Sequence, residues 1–115
     1  MIKFLRTKET TAGVEDIIIN ARKRLIIISS YLNISKIYIA RLKEAAAKNV
    51  HITIIFGTGR ADSKTIDQLL SIDKIELRHM DNMHAKCYIN EKKIIVTSFN
   101  LLEASEKNWE MGMLV

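Results

Sequence analysis

The chain contains no proline, only four glycines and a single cysteine among its 115 residues. Because Cys87 has no partner thiol in the chain, an internal disulfide is excluded, and we predict a reducing compartment, the cytoplasm. No apolar run approaches the roughly 20 residues of a membrane span, and the basic N-terminal region lacks the apolar stretch of a signal peptide. No segment has the composition of a linker or a low-complexity tract. We therefore expect a single domain over residues 1–115.

Apolar residues are nevertheless abundant, at 48% of the chain, and the net charge is +5. This apolar content is sufficient for one hydrophobic core in a chain of common domain size. This net positive charge favours a polyanionic partner, either nucleic acid or an anionic lipid surface. Because no amphipathic membrane helix is evident, we expect nucleic acid rather than a membrane.

Apolar patterning alternates between strand and helix along the chain. Strands are predicted at residues 2–5, 25–29, 50–56, 75–79, 84–90, 93–97 and 109–115, with a loop or short helix near 101–105. Helices are predicted at residues 12–23, at 36–48 and from Ser63 onward. This order indicates an α/β fold with one mixed, mostly parallel sheet and a late antiparallel hairpin.

Several residues are expected to set the helix ends. Thr10 or Thr11 can cap the first helix and Ser35 the second, while Asn49 is a plausible stop. In the third helix, the expected inward residues are Ile66, Leu69 and Leu70.

The predicted hairpin carries the most reactive set of side chains. His84 and Lys86 are two residues apart in an alternating run, so on a strand they share one face. Ser98 and Asn100 have the same spacing at the end of the next apolar run. If residues 90–92 turn the chain, an imidazole, an ammonium, a hydroxyl and an amide come together. One of these groups can attack phosphorus and the others can bind phosphate oxygens, but the carboxylate cluster of a catalytic Mg²⁺ is lacking.

This stretch resembles the signature of the phospholipase D superfamily, which is His-x-Lys, an acidic residue, and then Gly-Ser-x-Asn or Gly-Ser-x-x-Asn. The corresponding residues of this chain are His84-Ala85-Lys86, Glu91 and Thr97-Ser98-Phe99-Asn100. The segment Asn108-Trp109-Glu110-Met111-Gly112 resembles the family's continuation. The resemblance implies an α/β/α sandwich of the phospholipase D type. Glu91 replaces the usual Asp, away from the reacting phosphate, and Thr97 replaces the usual Gly.

The resemblance also implies a two-step phosphoryl transfer that needs no metal and no cofactor. His84 would attack phosphorus to form a phosphohistidine, while Lys86 and Asn100 hold the nonbridging oxygens. Ser98 would support the phosphate or a second histidine, and Glu110 would hold the other nitrogen of His84. The second histidine protonates the leaving oxygen and later activates water.

The chain has one His-x-Lys set, whereas this mechanism requires two. His51 and His79 do not stand in such a pattern, and we expect them to be structural or surface residues. Single-motif members of the family form homodimers in which two histidines meet across a twofold axis. We therefore predict a homodimer with its active site at the interface.

Further basic residues are candidates for substrate binding. Arg60 ends the loop Gly57-Thr58-Gly59-Arg60, which follows a strand of the predicted sheet. Lys92 and Lys93 lie at the hairpin turn, where they either form a solvated tip or track a nucleic-acid backbone. Cys87 is expected to face away from His84 and Lys86, in the core.

The function predicted from these features is a metal-independent phosphodiesterase, most similar to an endonuclease, acting on DNA or RNA. It could act alone or beside a larger defence or restriction protein. One alternative is a phospholipase or phosphatidyl transferase. The other is a catalytically weak nucleic-acid-binding module, which is motivated by the threonine at position 97 and by the lack of the family's closing helix after the last predicted strand.

Overall fold

A computed structural model describes residues 3–5, 7–30, 34–57, 62–81, 85–97 and 112–114. Its elements follow in the chain order β1 (Lys3–Leu5), α1 (Thr7–Asn20), β2 (Arg24–Ser29), α2 (Lys36–Ala47), β3 (His51–Phe56), α3 (Ser63–Leu70), β4 (Ile75–His79), β5 (Cys87–Asn90), β6 (Ile94–Thr97) and β7 (Gly112–Leu114). The predicted order of strands and helices is confirmed for these residues. The segment at 101–105 lies outside them.

The strands form one seven-stranded sheet in the order β1-β7-β6-β5-β2-β3-β4. β2 pairs with β3 and β3 with β4 in parallel, and the other neighbouring pairs are antiparallel. Only β5 and β7 therefore run against the direction that the other strands share. The predicted mixed sheet and the late antiparallel hairpin, β5–β6, are confirmed. Most of the described strands share one direction, but four of the six neighbouring pairs are antiparallel.

One face of the sheet carries the hydrophobic core. Residues from α1, α2 and the end of α3 pack there against inward strand residues, which are Leu25, Ile27, Ile52, Ile54, Tyr88 and Ile95. Connections of one hand between successive parallel strands place their helices on one face of a sheet, which agrees with the shared core of these helices. The described residues thus supply the sheet and one helical layer of the predicted sandwich. In this part of the chain, no helix is long and apolar enough to cross a membrane.

The helix ends differ in part from expectation. α1 begins at Thr7, and Thr10, an expected cap, is instead a fully buried residue within the helix. Ser35 does occupy the N-cap position of α2, but its side chain makes no capping hydrogen bond. Asn49 ends this region in the left-handed conformation, with φ of 67°. This is the conformation that asparagine tolerates better than most residues, so the predicted stop is confirmed.

The third helix shows one error in the predicted core. Leu70 is 62% exposed, whereas Thr65 and Leu69 are buried. Residues four apart share a helix face, and the buried pair defines a face that excludes Leu70. The cap of α3 is Asp62, whose Oδ2 accepts hydrogen bonds from the backbone N and the Oγ1 of Thr65 at 3.3 and 3.0 Å.

Candidate active site

Lys86 and Thr97, the described residues nearest to the rest of the predicted signature, lie at one edge of the sheet. β2, β3 and β4 end at this edge, and β5 begins there because it runs antiparallel to β2. Lys86 directly precedes β5, and Thr97 is the last residue of β6. We call this the carboxyl edge, the edge at which open α/β sheets commonly bind ligands.

A backbone hydrogen bond joins these two strand ends. The Thr97 N–H donates to the Lys86 carbonyl oxygen at 3.1 Å, which continues the antiparallel register of Cys87 with Val96. The hairpin turn predicted at residues 90–92 is therefore confirmed, and so is the adjacency of the two strand ends.

The remaining predicted catalytic residues are close to these strand ends in sequence. His84, Ser98, Asn100 and Glu110 lie outside the described residues, as does Arg60 of the substrate-binding set. Their roles stay predictions. Gly57, which begins the Arg60 loop, is described, and its N–H donates to the Ser29 carbonyl at 3.0 Å.

Lys86 lies on the helix-covered side of the sheet. Alternation along β5 gives Lys86 the same side as Tyr88 and Asn90, which are both buried. Lys86 itself is half-buried.

Ser29 is a site neighbour that the sequence analysis missed. The register of Ile28 with Cys87, extended by one residue, places Ser29 beside Lys86. Ser29 is only 3% exposed and ends the apolar run of β2. In sequence it reads as the end of a buried strand, and only the pairing of β2 with β5 brings it to Lys86.

The same row of residues continues across the sheet to His79. Ser29 pairs with Phe56 and Phe56 with His79. The rings of Phe56 and His79 are 5.2 Å apart and tilted by 55°. His79 Nδ1 lies 3.6 Å from an Asp81 carboxylate oxygen. His79 is thus at the carboxyl edge, whereas His51 is an exposed residue at the start of β3, on the opposite edge.

Cys87 points away from Lys86, as predicted, but it is not a core residue. It is half-buried on the face of the sheet that carries no helix among the described residues. Burial raises the pKa of the Cys87 thiol, and a backbone hydrogen bond at Tyr88 opposes this only in part. The core assignment failed because strand alternation gives the direction of a side chain but not what covers that face.

Hydrogen bonds to Glu91 connect the hairpin turn to the segment between α1 and β2. One carboxylate oxygen accepts the backbone N–H groups of Arg22 and Lys23, the latter at 3.0 Å. Burial raises the pKa of Glu91, but the backbone N–H groups around it and the charge of Lys92 outweigh that effect, so the pKa lies below its ordinary value of 4.5. The acidic position of the signature therefore has a structural role, at the end of the hairpin remote from Lys86.

Lys92 and Lys93 are exposed on this same turn. β5 separates them from Lys86 by roughly 13 Å, at about 3.3 Å per strand residue. Lys93 Nζ lies 4.0 Å from an Asp16 carboxylate oxygen. The structure does not bring these two lysines to the carboxyl edge, so they lie apart from Lys86 and Thr97.

Comparisons with known proteins agree with the fold described above. The family model described as "Cardiolipin synthase, PLD-like domain" matches residues 14–115. Nuc from Salmonella typhimurium, a phospholipase D family member, superimposes with a TM-score of 0.78 at 21% identity, covering 99% of this chain and 81% of that chain. NucT from Helicobacter pylori superimposes with a TM-score of 0.84 at 15% identity, covering 99% and 85%.

A further structural relative is TrmBL2, an archaeal chromatin protein with a novel mode of DNA binding. Its TM-score is 0.68 at 15% identity, and the match covers 99% of this chain and 45% of that chain. At these identities the structural matches establish the fold alone. No curated protein matches the chain by sequence. Because the family model spans most of the chain, this protein belongs to the phospholipase D superfamily, in the family of PLD-like domains.

Proposed function

We propose that this protein is a nuclease that cleaves phosphodiester bonds without a metal, through a phosphohistidine on His84. Family membership supports phosphodiesterase chemistry in general. The hydrogen bond from the Thr97 N–H to the Lys86 carbonyl carries the more specific proposal. It holds together the two strand ends from which the predicted nucleophile and phosphate-binding groups extend.

The proposed reaction has two balanced steps. His84 Nε2 attacks phosphorus, a P–N bond forms, and the P–O bond to the leaving oxygen breaks as a second histidine gives that oxygen a proton. Water then attacks the phosphohistidine and passes a proton to the same second histidine. The P–N bond breaks and His84 is regenerated. Lys86 stabilises the negative charge that develops on the nonbridging oxygens in both steps.

The second histidine would come from another copy of the chain. The sequence has one His-x-Lys set, so a complete site requires two chains related by a twofold axis. A chemically symmetric pair of histidines can divide the roles of nucleophile and acid. The proposed active unit is therefore a homodimer that joins at the carboxyl edge.

Two observations support nucleic acid as the substrate. The chain has a net charge of +5, which attracts a polyanion. The fold also occurs in a DNA-binding chromatin protein. One observation favours a second candidate, a phosphatidyl transferase, because the matching family model carries the description of a cardiolipin synthase.

Cleavage assays in the presence of EDTA test the proposal. Plasmid DNA and a folded RNA are incubated with wild type, with His84→Ala and with Lys43→Ala, a control on the exposed surface of α2. Anionic vesicles are incubated in parallel. We expect wild type and Lys43→Ala to cleave nucleic acid and His84→Ala to be inactive.

Other outcomes would replace this proposal. Lipid turnover without nucleic-acid cleavage would favour the phosphatidyl transferase. DNA binding without turnover at any pH from about 5 to 8, the range in which histidine changes charge, would indicate a binding module instead. Substantial cleavage by His84→Ala would exclude the proposed nucleophile.

A further inference from the structure

The edge of the sheet opposite Lys86 gathers four chain connections. We call this the amino edge and define it by residues 21–24, 48–51, 71–74 and 90–93. Hydrogen bonds join these connections side by side, because the His51 N–H donates to the Lys23 carbonyl and the Ile52 N–H to the Lys74 carbonyl, at 3.0 and 2.9 Å. Glu91 adds the hairpin turn through its bond to the Lys23 N–H.

The amino edge holds the chain's excess of positive charge. It contains seven of the 18 Lys and Arg residues but only two of the 13 Asp and Glu residues, which leaves eleven of each in the rest of the chain. The net charge of +5 is therefore concentrated here. All seven basic residues are exposed: Arg22, Lys23, Arg24, Lys48, Lys74, Lys92 and Lys93.

Within the described ranges, ion pairs neutralise little of this charge. Glu91 directs one carboxylate oxygen to backbone N–H groups rather than to a lysine or arginine side chain. Asp16 approaches Lys93 only at 4.0 Å, and both side chains are more than half exposed. An exposed pair at this distance contributes little, so Lys93 can exchange Asp16 for another anion at low cost.

The dimensions of the amino edge fit a nucleic-acid backbone. It crosses the strands β6, β5, β2, β3 and β4, which span about 19 Å at roughly 4.8 Å per strand spacing. Phosphates of one duplex strand repeat about every 3.4 Å along the axis, so the edge is as long as about five or six phosphates. The length of β2 separates the amino edge from the carboxyl edge by about 17 Å.

We propose that the amino edge is a second nucleic-acid surface, which holds backbone phosphates without reading sequence while the carboxyl edge carries the chemistry. This inference rests on the proposed function for its choice of polyanion. Lysine and arginine at exposed positions suit contacts to phosphate, which position a nucleic acid but do not specify its sequence. Within the four connections, His51 is the one aromatic side chain, so base stacking has little part in the proposed contact.

The salt dependence of DNA binding tests this surface. Binding of a duplex of random sequence is measured in a His84→Ala background, where cleavage does not interfere. Each of Lys23→Gln, Lys74→Gln and Lys92→Gln is expected to reduce the slope of log K against log salt by about 0.9, and the triple variant by about 2–3. Lys43→Gln removes the same charge from α2, outside both edges, and is expected to leave the slope unchanged.

Two results would overturn the inference. If the triple variant binds DNA with the slope of the Lys43→Gln control, DNA does not contact the amino edge. If the parent protein binds anionic vesicles but not DNA, the partner of this surface is a lipid. The EDTA cleavage assay distinguishes this inference from the proposed function. If wild type cleaves DNA but the triple variant binds with an unchanged salt slope, the nuclease proposal stands and only the amino-edge surface is excluded.

Discussion

At the scale of single residues, Lys86 combines a charge with a constrained position. It is half-buried at the carboxyl edge, its carbonyl is held by the Thr97 N–H, and β-strand register places Ser29 beside it. A lysine on a backbone that is held in this way can stabilise the charge of a phosphate at the carboxyl edge. Lys86→Ala is therefore expected to lower the rate of DNA cleavage by a factor of about 10²–10³, as measured by initial rates on a labelled duplex.

A control separates this effect from a loss of structure. Lys43→Ala removes an exposed lysine from α2, and its initial rate should equal that of wild type. Circular dichroism of both variants should match wild type. A Lys86→Ala protein that folds normally and retains full activity would show that this ammonium does not act on the phosphate.

Glu91 allows a second prediction at this scale, which concerns stability. Its pKa is lowered on folding, so the ionised carboxylate stabilises the folded chain. That contribution is fully present above the ordinary pKa of 4.5 and is lost as the pH falls through the lower, folded value. Glu91→Gln should reduce the free energy of unfolding by about 1 kcal/mol at neutral pH. Urea titrations should show this difference shrinking as the pH falls below 4.5.

The matched variant is Glu76→Gln. Glu76 bonds to the Arg78 side chain at 3.0 Å on the exposed surface of β4, where an ion pair contributes little. Its unfolding free energy should stay close to wild type throughout. A difference between Glu91→Gln and wild type that persists unchanged into acid would contradict the assigned role of the charge.

At the scale of elements, Asn90 organises the β5–β6 turn. Its Oδ1 accepts the backbone N–H groups of Lys92 and Lys93, both at 2.8 Å. Its Nδ2 donates to the Ile17 carbonyl of α1 at 3.0 Å, and this bond is buried. One side chain thus shapes the hairpin and attaches it to the first helix.

Asn90→Ala should consequently destabilise the fold by about 1–3 kcal/mol, because the buried Ile17 carbonyl and two partly buried N–H groups of the turn lose their partner. Chemical denaturation measures this change. Asn20→Ala is the matched control, since the Asn20 side chain bonds to Asp16 at an exposed position on α1. Equal stability of the two variants would mean that water replaces the Asn90 contacts without cost.

The helices and strands also show which structural features the sequence pattern could predict. Apolar periodicity and short continuous apolar runs predicted each described strand and helix, because burial in a core selects apolar residues at these positions. The sequence did not give the correct environment for Thr10, which is buried rather than a cap, or for Leu70, which is exposed rather than inward. Both depend on how each helix packs against the sheet. Ser29 could not be assigned to the site, since its neighbour Lys86 lies on a strand far along the chain. The His-x-Lys signature was visible because its chemistry requires fixed spacings within one hairpin.

At the scale of the whole molecule, the two edges of the sheet have different proposed functions, which are catalysis at the carboxyl edge and phosphate binding at the amino edge. The carboxyl edge holds Lys86, and the amino edge carries the excess positive charge. A dimer joined at its carboxyl edges would place both amino edges on the outside. Lys92 and Lys93 are candidates for substrate binding because of their charge and their place at the hairpin turn, and the sheet register puts them at the amino edge, away from Lys86.

The homodimer is itself testable. Sedimentation at micromolar concentration should give twice the chain mass of 13.2 kDa. Dilution that dissociates the dimer should reduce cleavage more steeply than in proportion to concentration, because each site requires two chains. A stable monomer with full activity per chain would contradict a shared site.

The most direct test of the central claim is detection of the covalent intermediate. Wild type is mixed with a DNA duplex in EDTA, the reaction is quenched within the first turnover, and the protein is analysed by mass spectrometry. We predict an adduct on His84 that is absent from His84→Ala and does not exceed one per two chains, since the second histidine serves as the acid. Cleavage without an adduct, or an adduct on another residue, would contradict the proposed mechanism.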